Sequence, residues 1–298
     1  MTVAQLTALP VAADFAPPPD RATRERWREA DRAARPARLA RLRERMRAEG
    51  VDAYFGVRLE NSRYLTGFAS DDAESVASGG SGSFLVSGDG LALLADSRYT
   101  IQATREAPDA RIVEIYGTLP TRWPGLVGEV GARRVALEAD LISRSTWERL
   151  AAAAPEVELV PVSGWVEELR ATKDPTELER IAAACAVADR ALATILPEIQ
   201  PGATEREVAL RLEWEIRTGG AESLAFDVIC LSGPEAALPH GIPGDRSIVP
   251  GAVLLIDFGA RVEGYRTDMT RTLLVGEPSS RRVERLTRFP REVVVVGR

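Results

Sequence analysis

The stretch that most restricts how this chain can fold is Ala252–Val275, AVLLIDFGARVEGYRTDMTRTLLV. It reads as two strands joined by a tight connection. The first, Ala252–Phe258, is an apolar run interrupted by Asp257, and the second, Tyr265–Val275, carries Asp268. A loop of two or four residues centred between Val262 and Glu263 would set Asp257 directly opposite Asp268. Opposed residues in an antiparallel pair have Cβ atoms roughly 4.5–5.5 Å apart, and like charges there are destabilising. The pattern asks for positive charge between them. A divalent cation is the simplest candidate, because oxygen ligands suit Mg and Mn and carboxylates also bind Zn. The competing reading is a slipped register with two exposed acids, since a two-carboxylate spacing is a weak motif.

A chain of 298 residues accommodates two domains. Its net charge of −6 argues against general affinity for nucleic acid. The two cysteines, Cys185 and Cys230, are far apart, so buried structural thiols are expected rather than a disulfide framework or a thiolate metal site. No apolar run approaches the ~18 residues of a membrane span, and the N-terminus lacks a basic region followed by a long apolar core. A cytoplasmic protein without a membrane or nucleic-acid partner is the expectation. One histidine, His240, occurs in the whole chain.

Residues 1–20 end in Pro17-Pro18-Pro19 and read as a flexible lead-in. Arg21–Arg47 holds eleven arginines against four acids, as the solvated face of a helix would. Within it, Ala37–Glu49 places Leu39, Leu42 and Met46 on one side, and Gly50 stands where a C-cap glycine belongs. Val51–Val57 reads as a strand. Phe84–Val86 and Leu91–Ala95 flank Ser87-Gly88-Asp89-Gly90, a hairpin signal. Gly79-Gly80-Ser81-Gly82 lacks the Lys-Ser/Thr ending of a phosphate loop and precedes a strand, so it reads as a flexible loop. Further strands at Arg111–Ile115 and Arg134–Leu137, with helices around Arg98–Glu106 and Ser143–Ala154, indicate an α/β domain over residues 21–168.

The organisation changes near residue 169. Asp174-Pro175-Thr176-Glu177 is a helix start, with Asp as N-cap, Pro first and Glu third. Leu178, Ile181, Cys185, Ala188, Leu192 and Ile195 follow at helical spacing. Thr204-Glu205-Arg206-Glu207 is a second capping box, with Val208, Leu212 and Ile216 as its apolar stripe. Phe226–Leu231 reads as a strand, and the hairpin follows. Two helices covering antiparallel strands make an α+β unit.

The segments LRATKDPTELERI, AFDVICLSGPEAALPHGIPGDRSI and LLIDFGARVEGYRTDMTRT resemble the first half of the pita-bread catalytic domain of the Xaa-Pro aminopeptidase, prolidase and creatinase family. NSRYLTGF (Asn61–Phe68) and LLADSRYTIQA (Leu93–Ala103) are similar to that family's N-terminal domain. The resemblance covers roughly residues 36–278. It implies a creatinase-type α/β domain, then half of a pita-bread domain over residues 169–278, and a non-matching tail over 279–298.

The resemblance further implies two divalent metals, Mn, Co or Zn, that activate a bridging hydroxide to remove a residue preceding proline. Asp257 and Asp268 match the family's two aspartate ligands. His240, between Pro239 and Pro243, matches a histidine that faces the substrate and handles protons. Thr270 shares the strand face of Asp268 and suits a hydrogen bond to a metal carboxylate. A peptide with proline second is the implied substrate, and a homo-oligomer the implied assembly.

The family's remaining His and two Glu ligands have no match here: after Asp268 the acids are Glu277, Glu284 and Glu292. Ser279 or Ser280 could cap a short helix ending before Pro290, ahead of the β-prone Val293–Val296. A chain shortened within the catalytic domain is expected to bind metal weakly and to hydrolyse Xaa-Pro peptides poorly or not at all. It is also expected to expose an apolar sheet edge and the valine run. Two alternatives compete with a metallopeptidase: a non-catalytic remnant kept for interaction, and a creatinase-like C–N hydrolase, which the aspartate pair opposes.

Overall fold

The computed structural model describes residues 11–71, 73–116, 118–277 and 293–296, the last four by their backbone. The chain divides into two compact units, one over Glu25–Lys173 and one that joins the described residues before Glu25 to those from Asp174 onward.

In the first unit the elements run α1 (Arg21–Ala48), β1 (Ala53–Gly56), α2 (Leu59–Thr66), β2 (Phe84–Ser87), β3 (Leu91–Ala95), α3 (Thr100–Glu106), β4 (Arg111–Glu114), α4 (Leu119–Glu129), β5 (Arg134–Glu138), α5 (Arg144–Ala153), β6 (Glu158–Val162) and α6 (Trp165–Ala171). They build one six-stranded sheet of order β4-β3-β2-β1-β5-β6. The β1–β2 and β2–β3 pairs are antiparallel and the others parallel. β1 is buried on both faces, which is why it reads as an unbroken apolar run. Tyr54 faces a core with Phe84, Leu42 and Trp165, while Phe55 faces a second core with Leu94, Leu137 and Trp123.

Helix α1 begins well before the expected Ala37 and runs through Pro36. Its arginine face is not uniformly solvated. Arg35 and Arg38 are buried. The Arg38 guanidinium lies 4.2 Å from the Tyr64 ring centre and donates to the Tyr64 carbonyl at 3.2 Å, while Arg43 donates to the Ser87 carbonyl at 2.9 Å. Long arginine stems cover apolar surface while their heads find carbonyls, so the charge run is partly a packing face. In this sheet periodicity missed strand β6; Pro161 sits in it because β6 is a sheet edge, where no ladder donor is required.

The turn between β1 and α2 is held by a buried carboxylate. Glu138, at the end of β5, accepts hydrogen bonds from Tyr54 Oη (2.6 Å), the Val57 and Arg58 amides (2.6 and 2.7 Å) and Asn61 Nδ2 (2.7 Å). Burial and this carboxylate push the Tyr54 phenol well above its usual range.

The second unit comprises α7 (Pro175–Ile195), α8 (Glu205–Thr218), β7 (Ser223–Leu224), β8 (Ile229–Ser232), β9 (Ala252–Phe258), β10 (Ala260–Val262), β11 (Tyr265–Arg266), β12 (Met269–Val275) and β13 (Val293–Val296). Asp174 and Thr204 cap α7 and α8, each in the expected reciprocal box with Glu177 and Glu207. The α7 stripe is rotated from the expected one. Ala188, Leu192 and Ile195 are buried as expected and are joined by Ala184, Val187 and Ala191, whereas Leu178 and Cys185 are exposed. Glu177 and Arg180 are drawn inside because Tyr265 Oη donates to Glu177 at 2.8 Å and Arg180 lies over the Tyr265 ring. Of the two thiols expected to be buried, only Cys230 is; the Cys185 thiol contacts the Thr267 hydroxyl at 3.6 Å from the exposed side of α7.

The lead-in expected over residues 1–20 is anchored in its described part. Ala12–Asp14 forms a short 3-10 turn. The end of the lead-in is tied to the start of α1: Arg24 Nε donates to the Pro19 carbonyl at 3.2 Å, and Arg24 in turn donates to the Gly220 carbonyl at 2.8 Å and pairs with Glu263 at 3.4 Å.

The hairpin is longer and more bent than two plain strands. Its turn is Glu263-Gly264, with φ of 47° and 82°, and Val262 pairs with Tyr265. Two central residues at positive φ are what a two-residue hairpin turn of type I′ requires. This turn is centred one residue later than expected, so every pairing shifts by two and Asp257 stands opposite Thr270. At Gly259 the hairpin leaves one sheet for another. β9 and β12 lie in the four-stranded sheet β13-β12-β9-β8, and β10 and β11 in the three-stranded sheet β11-β10-β7. A Cβ on Gly259 would meet the Thr267 carbonyl oxygen at 2.0 Å. The valine run expected to be exposed forms β13 and pairs parallel with β12 through its backbone. The helix expected after Ser279 lies outside the described residues.

Two substitutions test this account. Gly259→Ala should cost about 3 kcal/mol or more, because backbone must move to admit a methyl; urea unfolding followed by far-ultraviolet circular dichroism measures it. Glu138→Ala should cost the first unit about 3 kcal/mol by orphaning buried donors; an unchanged denaturation midpoint would contradict the clasp.

Candidate functional site

The site grows out of one face of the four-stranded sheet. Successive side chains of a strand alternate in direction, so residues paired across strands share a face. Ile229 of β8, Asp257 of β9 and Thr270 of β12 form one cross-strand row. Leu231, Leu255 and Thr272 form the next row on that face. The opposite face carries Cys230 and Ile256, both buried.

Asp257 sits just before the Gly259 bend, and Asp268 sits on the returning arm just before β12. They are not a cross-strand pair, yet the bend brings the two carboxyl groups into hydrogen-bonding reach. Burial first, and the Asp268 charge second, hold the Asp257 carboxyl above its ordinary range, while the Thr270 hydroxyl opposes the shift by hydrogen-bonding the carboxylate. Asp257 Oδ1 is buried and has no hydrogen-bond partner. Asp268 and Thr270 are exposed. Three of the four residues anticipated from sequence are therefore together.

The fourth, His240, is on the loop between β8 and β9 and is exposed. The following residue, Gly241, lies so close to Leu231 that a Cβ there would meet Leu231 Cδ1 at 2.6 Å. Leu231 belongs to the Asp257 face, so the His240 loop packs against that face at its β8 edge. His240 makes no hydrogen bond to either aspartate.

Carboxylate oxygens are the donors that hard divalent cations take, and Zn accepts them too. A buried carboxylate oxygen without a donor, beside a second carboxylate, is a place where a cation would relieve both burial and repulsion. Asp257 and Asp268 thus fit one side of a divalent-metal site. Among the described residues, no group of three or more His, Cys, Asp or Glu could hold a metal ion. Glu277 is exposed, and Glu284 and Glu292 lie outside the described residues.

Sequence reasoning missed Gly259, whose signal was a glycine directly after the Asp-Phe pair of a strand. It also missed Glu205. That residue looked like one more first-turn acid of α8 but is buried.

Comparison with known proteins agrees with this architecture. Residues 38–172 match the creatinase/prolidase N-terminal domain, and residues 179–294 match metallopeptidase family M24. The uncharacterized peptidase YqhT of Bacillus subtilis is 36% identical over 242 residues, which is 81% of this chain and 66% of that protein. The Xaa-Pro dipeptidase of Pyrococcus furiosus is 42% identical over 119 residues, 40% of this chain and 34% of the enzyme. Among solved structures, the Xaa-Pro dipeptidase from Bacillus anthracis superposes with a TM-score of 0.75 at 33% identity, covering 83% of this chain and 67% of that one. The X-Pro aminopeptidase from Thermotoga maritima gives 0.73 at 33% identity with the same coverage. The chain therefore spans no more than about two thirds of the length of these relatives. With a creatinase-type α/β domain followed by pita-bread elements, it belongs to metallopeptidase family M24, alongside the Xaa-Pro dipeptidases.

Proposed function

We propose that this chain serves metal-assisted hydrolysis of the amide bond between an N-terminal residue and a following proline. The observation that carries the reading is the Asp257–Asp268 pair, with one buried carboxylate oxygen left unpartnered on the face whose β8 edge the His240 loop packs against. The similar proteins, Xaa-Pro dipeptidases and an X-Pro aminopeptidase, supply the substrate class.

Asp257 and Asp268 would hold divalent ions, with Mn, Co or Zn as the candidates. When bound, such ions supply a hydroxide at neutral pH and polarise the scissile carbonyl. Thr270, directly opposite Asp257 across the ladder, stands where its hydroxyl can support the Asp257 carboxylate. His240 faces the substrate and moves a proton at its imidazole ring. Ile229, beside Asp257 in the same row, lends the carboxylate an apolar neighbour. The protein acts on short peptides with proline second, as a homo-oligomer in the cytoplasm, without a membrane or nucleic-acid partner; no helix among the described residues is long and apolar enough to cross a membrane.

A second reading has its own observation. Among the described residues, no third His, Cys, Asp or Glu joins the two carboxylates to complete a metal site. On that count, these 298 residues alone would serve a non-catalytic, interaction role.

Calorimetry separates the two readings. On the non-catalytic reading, the isolated chain, stripped with chelator, binds Mn more weakly than micromolar and cleaves Xaa-Pro dipeptides slowly or not at all. Stoichiometric binding of two ions at micromolar concentration or tighter would establish a complete site and sink the non-catalytic reading. Loss of all Mn binding in Asp257→Asn is expected under the proposal.

The pH dependence of the metal-free chain follows from the raised Asp257 pKa. The folded state holds this proton more tightly than the unfolded chain does. The group's stabilising contribution is thus full below the ordinary carboxylate range and is lost as pH rises through the raised folded value. Metal-free Asp257→Asn should melt higher than the unsubstituted chain at neutral pH, and the gap should close on acidification. A gap that widened on acidification would contradict the repulsion.

A further inference from the structure

Glu205 is a buried carboxylate that stands at a change of direction, and nothing in the proposed chemistry uses it. Its side chain is 3% exposed. Oε1 accepts from the Ser232 amide at 2.7 Å and from the Ser232 hydroxyl at 3.1 Å. Oε2 accepts from the Gly244 amide at 3.2 Å. Ser232 ends β8, and Gly244 lies just before the chain returns toward β9. One carboxylate therefore ties together the departure and the return of the loop that bears His240.

The backbone around Glu205 repeats the tie. Its amide donates to the Arg246 carbonyl at 3.1 Å, and the Arg206 amide donates to the Gly244 carbonyl at 3.0 Å. Thr204 bridges to Ser247. Arg246 lies 3.8 Å from Glu205 and 3.1 Å from Glu235, on the rising limb of the same loop. The tip is seated separately, by Gly241 against Leu231. A loop held only at its tip by van der Waals contact depends on its base for direction.

We propose that Glu205 is a positioning residue for His240, acting through the Ser232–Gly244 closure to hold the loop against the Asp257 face. This deepens the peptidase reading, in which His240 meets the substrate. The anchoring itself does not depend on that reading. A carboxylate accepts hydrogen bonds more strongly than a neutral amide oxygen does, so three donors converging on one buried carboxylate make a firm tie. Glutamine in place of Glu205 keeps the shape but turns one acceptor oxygen into a donor facing a donor.

His240 is the sole histidine, so its ring is a resolved probe without site-specific labelling. The experiment records proton–nitrogen correlations of the His240 imidazole, and amide exchange over residues 233–246, in the full metal-free chain well below its melting point. Glu205→Gln is expected to shift the ring resonances toward those of an unconstrained histidine and to speed loop exchange about tenfold or more. Glu207→Ala is the control, because it removes the exposed member of the α8 capping box on the same helix turn and should leave the ring unmoved. Ser232→Ala, which removes one hydroxyl donor, should move the ring in the same direction as Glu205→Gln but less, and serves if Glu205→Gln does not fold. Ring resonances unchanged in folded Glu205→Gln, or moved equally by Glu207→Ala, would overturn the proposal. So would an unmoved ring in Ser232→Ala where Glu205→Gln does not fold. A silent peptidase assay would count against the catalytic reading and leave this one standing.

Discussion

The second unit depends on one close approach of backbone to backbone. At Gly259 the outgoing arm of the hairpin passes the Thr267 carbonyl with no room for a Cβ. That contact lets a single hairpin serve two sheets, because the ladder can turn where the chains nearly touch. The Ala225 amide donates to the Gly259 carbonyl, and the Thr267 amide donates to the Ala260 carbonyl, so the bend is closed by hydrogen bonds on both sides. A bend in a paired ladder alters which groups are neighbours. Here it turns two aspartates that are not cross-strand partners into a contacting pair. The turn beyond it, with Glu263 at positive φ, is kept in place by Arg24 and by the Gly264 amide donating to Glu222.

The buried acids of this chain divide by how well they are satisfied. Glu138 has four donors, Glu205 has three, and Glu177 accepts from the Tyr265 hydroxyl while closing its helix cap. Each joins segments distant in sequence, and each replaces water with donors of fixed position. Asp257 differs: one oxygen has no donor, and its nearest charged neighbour has the same sign. A structural carboxylate gains from saturation, whereas a ligand carboxylate must keep a lone pair free. The same contrast explains Cys230, whose thiol is pushed up to about 12 by burial and by the charge of Glu205, and which is therefore inert packing.

Much of the architecture was legible because local chemistry and final structure agree. The Ser-Gly-Asp-Gly turn, the two capping boxes and the double-sided apolar strand at Val51–Val57 all act within a few residues. The α1 arginines, the phase of α7 and the hairpin register were not legible, because each is settled at long range. Arg38 is buried by the Tyr64 ring and carbonyl, and Glu177 by Tyr265. The register was misplaced because Glu-Gly is a poor advertisement for a turn with two positive φ angles; Asn-Gly would have announced it. At the site, pattern and resemblance anticipated that Asp257, Asp268 and Thr270 lie together, though on a different register. The contact that joins the aspartates did not, because it arises from a bend and not from a ladder rung. Glu205 was hidden among ordinary first-turn acids, since only burial distinguishes it.

The bend and the two-residue turn together make the span from Asp257 to Asp268 a fixed length. Side chains in a strand alternate, so one residue inserted at Glu263-Gly264 would reverse the facing of one arm. Thr270 would then point toward the helices, and Met269 would take its place beside Asp257. Substitutions along the hairpin can be absorbed one side chain at a time, but a single inserted or deleted residue cannot. Descendants of this sequence should therefore vary in composition between the two aspartates far more readily than in number.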